Sequence, residues 1–409
     1  MNHTTPTECD VLIVGGGMVG GLLAAALADS GLEIVVLESR EPRPFTNDDE
    51  FDLRVSALSL ASERMLQAVG AWEGITSRRS CPYRHMQVWD GEQGGETLFY
   101  SGDIGETHLG SIVENRVLQL ALTEVMQQRS QIHYACPAEL AGLEVAANHV
   151  DITLADGQQI CARLVVGADG ANSRVRQLCG ISSSQQRYPQ KALVATIKTS
   201  LPQQSITWQR FLPTGPQAFL PLPGQHASMV WYHTEDEIAR LEGLADAAFI
   251  GEMESAFPEQ LGEVAALVGR GSFPLQRSHA ERYVKQRVAL VGDAAHTVHP
   301  LAGQGVNIGL LDAACLAETL IRAQRKQQDI GQLHRLRPYE RWRRSENALM
   351  IQVLDGFYHA FKPQPPMVQQ LRSMALNMAD RLSPMKRLVI RYATGTACDL
   401  PILAQGRLP

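Results

Sequence analysis

Four strand-like runs in this chain each stop at glycine or at an acid, and the spacing around them sets the expected fold. The first, Asp10 to Val14, leads into Gly15-Gly16-Gly17-Met18-Val19-Gly20, a helical stretch over Leu22 to Ala28, and a second run, Ile34 to Leu37, that ends at Glu38. Another, Ile160 to Val166, ends in Gly167-Ala168-Asp169-Gly170-Ala171-Asn172-Ser173-Arg174, and the last, Val288 to Val291, ends in Gly292-Asp293. The unbroken run Val288 to Val291 suits a strand buried in a parallel sheet. Alternation around Glu144 to Leu154, and then over Ile160 to Val166, suits hairpin strands instead. Apolar stripes predict helices over Ser59 to Val69 and Asn115 to Gln127, and again from Asn307 to Gln324 and from Tyr339 to Phe361. Glu41 to Asp52, with its prolines and acids, reads as a loop. From Ala192 to Phe273 the texture is β-rich, with strands at Ala192 to Lys198, Ile206 to Phe211, Phe219 to Leu222 and Ser228 to Tyr232. The expected architecture is α/β: a discontinuous Rossmann-like domain over residues 1–185 and 274–330, a β-rich domain over 186–273, and a C-terminal helical region over 331–409.

The first unit reads strand, glycine loop, helix, strand, acid, and each part has a physical reason. Gly15 gives the turn, Gly17 lets a pyrophosphate sit on the helix N-terminus, and Gly20 permits close packing of helix on strand. Glu38, eighteen residues past Gly20, stands where a carboxylate accepts from a ribose 2′-hydroxyl, which favours an unphosphorylated ribose such as that of FAD or NAD. A bare GxGxxG also occurs as a packing turn, so the flanking strands and the acid carry the weight. At the third run Gly292 permits a tight exit and leaves Asp293 to hold a sugar-like hydroxyl chain. Gly303, Gly305 and Gly309 then let backbone N–H groups approach a flat ring. Taken alone, a Gly-Asp after a strand is commonplace.

Composition narrows the class. The chain has 409 residues, 44% of them hydrophobic and 20% charged, which fits a globular protein of more than one lobe. A formal charge of −6, with no basic stripe interleaved with aromatics, gives no nucleic-acid partner. Cysteines 9, 81, 136, 161, 179, 315 and 398 form no CxxC pair and read as reduced thiols, with no metal site expected. Val11 to Ala28 is uncharged over membrane-spanning length, yet five of its residues are glycine and the dinucleotide pattern accounts for the run. No basic leader precedes it, so the expectation is a cytoplasmic protein. Near the C-terminus Leu371, Met374, Ala375, Met378 and Leu382 recur at helical spacing, and residues 366–409 carry six basic side chains against Asp380 and Asp399. Such a helix lies either on an anionic membrane surface, as a peripheral contact, or on the protein's own core with its basic side solvated.

The order GxGxxG, Gly-Ala-Asp-Gly, then Gly-Asp-Ala-Ala-His-x-x-x-Pro-x-x-Gly-Gln-Gly-x-Asn-x-Gly resembles, over essentially the whole chain, the group A flavoprotein aromatic hydroxylases with the para-hydroxybenzoate hydroxylase fold. The strings Asp52-Leu-Arg-Val-Ser-Ala, His108-Leu-Gly-Ser-Ile-Val-Glu-Asn, Ala192-Leu-Val-Ala-Thr-Ile, Ala218-Phe-Leu-Pro-Leu and His296-Thr-Val-His-Pro-Leu-Ala-Gly-Gln-Gly-Val-Asn resemble, more narrowly, the ubiquinone-biosynthesis hydroxylases, most of all the 2-polyprenylphenol type acting at ring carbon 5. Sister enzymes acting at carbons 1 and 6 share most of these strings. The resemblance implies FAD as the bound cofactor, NADPH or NADH as electron donor, O2 as co-substrate and oxygen transfer through a flavin C4a-hydroperoxide. It implies that Gly15, Gly17 and Gly20, with Met18 and Val19, hold the pyrophosphate, that Glu38 and Ser39 meet the adenosine ribose, and that Arg54, Arg116 and Gln119 flank the cofactor. Asp169 would serve FAD and the passing nicotinamide nucleotide, Gly292 and Asp293 the ribitol, and Pro300 with the Gly303, Gly305, Val306 and Asn307 backbone the isoalloxazine ring. The implied partners are a lipophilic polyprenylphenol substrate and other ubiquinone-biosynthesis proteins; association into oligomers stays open.

No catalytic base is assigned. His299 reads as packing its loop, and His296 is left open between packing and a role at the flavin. Tyr188, Trp208, Phe211 and Phe219 lie in the β-rich segment, where aromatic residues are more often core; Met374 and Met378 are read as core before prenyl contact. A flavin-dependent reductase or halogenase shares these motifs, but the halogenase Trp-x-Trp-x-Ile-Pro string is absent and Trp231-Tyr-His does not match it. A flavin-holding scaffold subunit is the non-enzymatic alternative.

Overall fold

The computed structural model describes residues 7–92, 94–298, 303–362, 365, 369–370, 373–374, 383–397 and 399–409. Its first sheet has eight strands. Five are parallel: Val288–Leu290, Gln159–Gly167, Glu8–Val14, Ile34–Leu37 and Ile132–Ala135 lie side by side in that order. Val11 to Val14 and Ile34 to Leu37 are buried throughout, as a parallel sheet covered on both faces requires. The covering helices are Met18–Leu27, Asn115–Gln127 and Gln304–Arg325. The hairpin strands Leu140–Val145 and Val150–Leu154 extend the sheet in antiparallel fashion from Gln159–Gly167.

The second sheet also has eight strands, running His296–Thr297, Val264–Ala280, Ser183–Thr199, His226–His233, Gln217–Pro221, Ile206–Phe211, His85–Asp90 and Glu96–Tyr100. Its two outermost strands on one side come from residues 85–100, far upstream of the β-rich stretch, and His85–Asp90 pairs in parallel with Ile206–Phe211. One face packs Leu193, Ala195, Ile197, Trp208, Phe219, Met229 and Trp231 against Ile238, Leu241, Phe249 and Met253. The last four belong to helices Glu235–Glu242 and Asp246–Ala256, which the β-rich texture concealed. The acids Glu235, Asp236 and Glu237 in the first turn were the available signal. The long strand Val264–Ala280 was also missed, because Gly269, Gly271 and Pro274 lower its strand propensity.

The 28-residue helix Leu333–Ala360 ties the two sheets together. Near its middle Arg343 and Asn347 bond to Asp312 of helix Gln304–Arg325, which covers the first sheet. Toward its C-terminal end Asp355 accepts from Tyr188 and Arg277 of the second sheet. Of the expected C-terminal stripe, Met374 is described and exposed, whereas Leu371, Ala375, Met378 and Leu382 lie outside the described residues. Helix Ser383–Ala393 buries Ile390 and leaves Leu388 and Val389 exposed. Leu403 and Ala404 return to the main core. No described helix is long and apolar enough to cross a membrane.

Candidate cofactor and substrate cleft

The glycine loop divides its glycines by function. Gly15 has φ +106, and a Cβ there would come within 2.4 Å of the Ala168 carbonyl oxygen. At Gly20 a Cβ would lie 1.9 Å from the Gly15 oxygen. Gly15 is dictated by packing of the turn on the loop that follows strand Gln159–Gly167, and Gly20 by packing of the helix on the turn. A Cβ on Gly17, by contrast, would meet no atom within 4 Å. Gly17 precedes helix Met18–Leu27, whose N-terminus has no side-chain cap, so open space lies in front of free helix N–H groups, the arrangement that accepts a phosphate. Glu38 stands at this end: one carboxylate oxygen accepts from Gly16 N at 2.9 Å, the other from Arg40 N at 3.1 Å and from the exposed Ser39 hydroxyl at 3.4 Å. Met18 and Val19 are half-buried.

Asp169 caps helix Arg174–Leu178, accepting from Arg174 N at 2.6 Å and Val175 N at 3.1 Å, while its Oδ1 is buried with no hydrogen bond among the described residues. Arg116 is largely committed to the chain itself. It donates to the Pro44 carbonyl at 2.9 Å, pairs with Asp49 at 2.8 Å and Asp52 at 2.9 Å, and thereby fastens the loop before Arg54. The loop delivers Leu53 and Arg54 to the second sheet, where the Arg54 guanidinium stands 4.7 Å from the Phe273 ring centroid. Gln119 is half-buried on the same helix as Arg116.

The Gly292-Asp293 turn occupies the junction of the two sheets. Gly292, at φ +59, follows the parallel strand, and His296–Thr297 pairs with Ser278 and His279, so this loop is itself the edge of the second sheet. Asp293 is exposed, and its carboxylate makes no hydrogen bond among the described residues. The protein crowded around it raises its pKa; the charges of His296 and Arg54 pull the other way. Beyond it Gly303, at φ +61, begins helix Gln304–Arg325 without a side-chain cap. Gly305 and Val306, in the first turn, are half-buried. The Asn307 side chain is a clamp: its Oδ1 accepts from Ser59 N at 2.9 Å and Ser62 Oγ at 2.8 Å, and its Nδ2 donates to the Ala57 carbonyl at 2.9 Å. Gly309 does not approach a ring as expected. A Cβ there would press within 2.8 Å of Val19, because the two nucleotide-domain helices cross at that point. Pro300 and His299 lie outside the described residues.

Behind this turn is a polar cluster that no sequence motif announced. Asp312, 0% exposed, accepts from Gly292 N at 3.1 Å, Arg343 Nε at 2.8 Å and Asn347 Nδ2 at 3.0 Å, and bonds His296. Burial alone would raise the Asp312 carboxyl, but the charges and hydrogen bonds of His296 and Arg343 outweigh it and hold the pKa down to about 2. His296 is therefore engaged away from the cleft, and the packing reading is the one observed. The only sequence trace of the cluster is polar side chains on the apolar faces of two helices.

The face of the second sheet opposite its covering helices is the candidate substrate wall. Met86, Val88, Val194, Ala218, Leu220 and Val230 are half-buried there. Trp208 and Phe219 belong to the opposite face, and Tyr188 and Phe211 pack with the Leu333–Ala360 helix, so all four aromatics are core.

These features fit FAD: open space before an uncapped helix N-terminus, an unengaged carboxylate at a glycine turn, and a second uncapped helix facing the same cleft. Comparison with known proteins gives the class. Residues 8–352 match the family model described as FAD binding domain. The chain belongs to that family, and it is a flavoprotein monooxygenase with a fold of the para-hydroxybenzoate hydroxylase type. Among individual proteins it is 39% identical over 390 residues to 3-demethoxyubiquinol 3-hydroxylase of Escherichia coli (strain K12), covering 95% of this chain and 99% of that one. It is 35% identical to the mitochondrial ubiquinone biosynthesis monooxygenase COQ6 of Xenopus tropicalis, covering 96% and 95%. Among solved structures, p-nitrophenol 4-monooxygenase PnpA from Pseudomonas putida DLL-E4 shares the fold at a TM-score of 0.79 with 17% identity, over 97% of this chain and 100% of that one.

Proposed function

We propose that the protein hydroxylates the aromatic ring of a polyprenylated phenol in ubiquinone biosynthesis, with FAD as bound cofactor, NADPH or NADH as electron donor and O2 as co-substrate. The observation that supports the reading is the half-buried apolar face Val88, Val194, Ala218 and Val230 on the sheet whose edge strand, His296–Thr297, directly follows the Gly292-Asp293 turn: a flat, lipophilic ring suits such a surface. FAD, when bound, supplies activation of O2 and transfer of one oxygen atom to the ring. The chain does the rest. Gly15, Gly17 and Gly20 with the N–H groups of Met18 and Val19 receive the pyrophosphate, Glu38 and Ser39 the adenosine ribose, and Asp293 the ribityl hydroxyls. Arg54 and Gln119 border the cofactor, and Arg116 holds the loop that carries Arg54. The uncapped first turn at Gly303, Gly305, Val306 and Asn307, with Pro300 before it, directs a helix dipole that favours negative charge on reduced flavin. The apolar wall excludes water, which would otherwise divert reduced oxygen to peroxide.

The resemblance favours ring carbon 5. A second reading, favoured by the activity for which the Escherichia coli relative is named, is the position that its name numbers 3. Peripheral contact with the inner face of the cytoplasmic membrane and docking on other ubiquinone-biosynthesis proteins belong to the same proposal, supported by exposed Leu388 and Val389 beside Arg387 and Arg391. Anaerobic NADPH is expected to bleach the yellow protein, faster when a prenylated phenol is present. Bleaching indifferent to every phenol would rule out the hydroxylase, and no bleaching would leave the scaffold. The mass of the quinone precursor that accumulates in a strain lacking the protein assigns the carbon.

A further inference from the structure

Thr196 and Ser228 stand opposite each other across the antiparallel strands Ser183–Thr199 and His226–His233. Each is 0% exposed. Neither hydroxyl has a hydrogen-bond partner among the described residues. A buried hydroxyl left without a partner costs about 1–3 kcal/mol, and other hydroxyls of the same sheet avoid that cost. Thr207 donates to the Phe219 carbonyl at 2.7 Å, and Ser278 to Thr297 at 3.2 Å. Two adjacent exceptions in the middle of a sheet point to a partner that the protein itself does not contain.

Register gives the pair its direction. Val194 and Val230 are the next residues on the same face of those strands, and they are half-buried in the apolar wall of the cleft. Residues two apart on a strand are separated by about 6.6–6.8 Å, so the hydroxyls lie one ring's length from the wall. On the far side of Thr196 is Gly269, and beyond Val194 is Gly271. Leu53 lies over both glycines, 3.7 Å and 3.2 Å from where their Cβ atoms would stand. Leu53 therefore covers this part of the sheet face, and a ring reaching the pair would have to displace it.

We propose that Thr196 and Ser228 receive a ring oxygen of the substrate and so fix which ring edge faces the cofactor. This rests on the reading that the cleft binds a prenylated phenol. Each hydroxyl both donates and accepts, so the pair serves a phenolic hydroxyl or a methoxy oxygen, and its neutrality suits either better than a carboxylate.

The test uses the FAD-loaded enzyme with Thr196→Val and Ser228→Ala, each nearly isosteric. Binding of 2-prenylphenol and of 2-prenyl-6-methoxyphenol is read from the perturbation of the flavin absorbance, beside the melting temperature. Because the lost hydroxyls have no internal partner, both variants are expected to melt at or above the wild-type temperature. Each is expected to weaken binding by about tenfold, as for loss of one hydrogen bond. Weakening of both probes identifies the phenolic hydroxyl as the ligand atom, and weakening of the methoxy probe alone identifies the methoxy oxygen. A fall of several degrees in melting temperature, or unchanged affinity for both probes, overturns the assignment. Failure of wild-type enzyme to bind either phenol overturns the assignment together with the hydroxylase reading, and is distinguished by appearing without any mutation.

Discussion

At the scale of single residues, the glycines make separable predictions. Gly20→Ala forces a Cβ to 1.9 Å from the Gly15 oxygen, so it is expected to prevent folding, seen as loss of near-UV circular dichroism. Gly17→Val enters open space and is expected to cost the apo-protein about 1 kcal/mol at the helix N-terminus while abolishing FAD retention on dialysis. A yellow Gly17→Val protein would show that no phosphate lies there. Asp293→Ala removes a carboxylate with no internal partner, so the apo-protein keeps its stability while FAD affinity falls by ~1.5–3 kcal/mol, the worth of a charged hydrogen bond; fluorescence titration of the apo-protein measures it. His279 carries a pH dependence. Burial first, then the charges of His296 and Arg344, lower its pKa from 6.5 to about 4 against the opposing Asp312. The unfolded chain therefore takes up the proton first. Stability is complete above pH 6.5 and declines as pH falls toward 4. His279→Gln, which keeps a partner for the Tyr283 hydroxyl at 3.0 Å, is expected to flatten that decline in melts between pH 7 and 5.

At the scale of elements, helix Gln304–Arg325 is positioned by polar clamps as well as by its apolar face. Asn307 bonds the strand Val55–Ser59 and Asp312 bonds the Gly292 turn, so the helix start and the turn are held to one geometry. Asn307→Ala leaves the buried Ser59 N–H without its partner. It is expected to destabilise the apo-protein by ~1–3 kcal/mol in urea unfolding and to weaken FAD further through the displaced first turn. The helix Asn115–Gln127 was legible from its apolar stripe and has those bounds. Helices Glu235–Glu242 and Asp246–Ala256 were missed because they are embedded in a β-rich stretch, and the acidic first turn Glu235 to Glu237 was the local signal that could have found the first of them.

At the scale of the whole molecule, the two sheets share one strand-turn segment, residues 288–297, and one long helix, Leu333–Ala360. They are expected to unfold as one cooperative unit. Trp208 and Trp231 report the second sheet, and release of flavin fluorescence reports the first. The two denaturation curves should coincide in the FAD-loaded protein, with separate midpoints counting against the coupling. The inclusion of residues 85–100 in the second sheet follows from the same global arrangement. No local pattern indicates that His85–Asp90 pairs with a strand more than a hundred residues away.

The local sequence determined the strands Glu8–Val14, Ile34–Leu37 and Val288–Leu290 and the helix that follows the glycine loop, and it marked the candidates for meeting a dinucleotide. Those depend on short-range periodicity and on backbone freedom at Gly15, Gly20 and Gly292. Tertiary structure alone decided that Arg116 fastens a loop, that His296 turns inward to Asp312, that Gly309 lets two helices cross in close contact, and that Thr196 and Ser228 are buried side by side. Which polar atom finds a partner depends on atoms brought in from other parts of the chain, and that is settled only when the sheets pack.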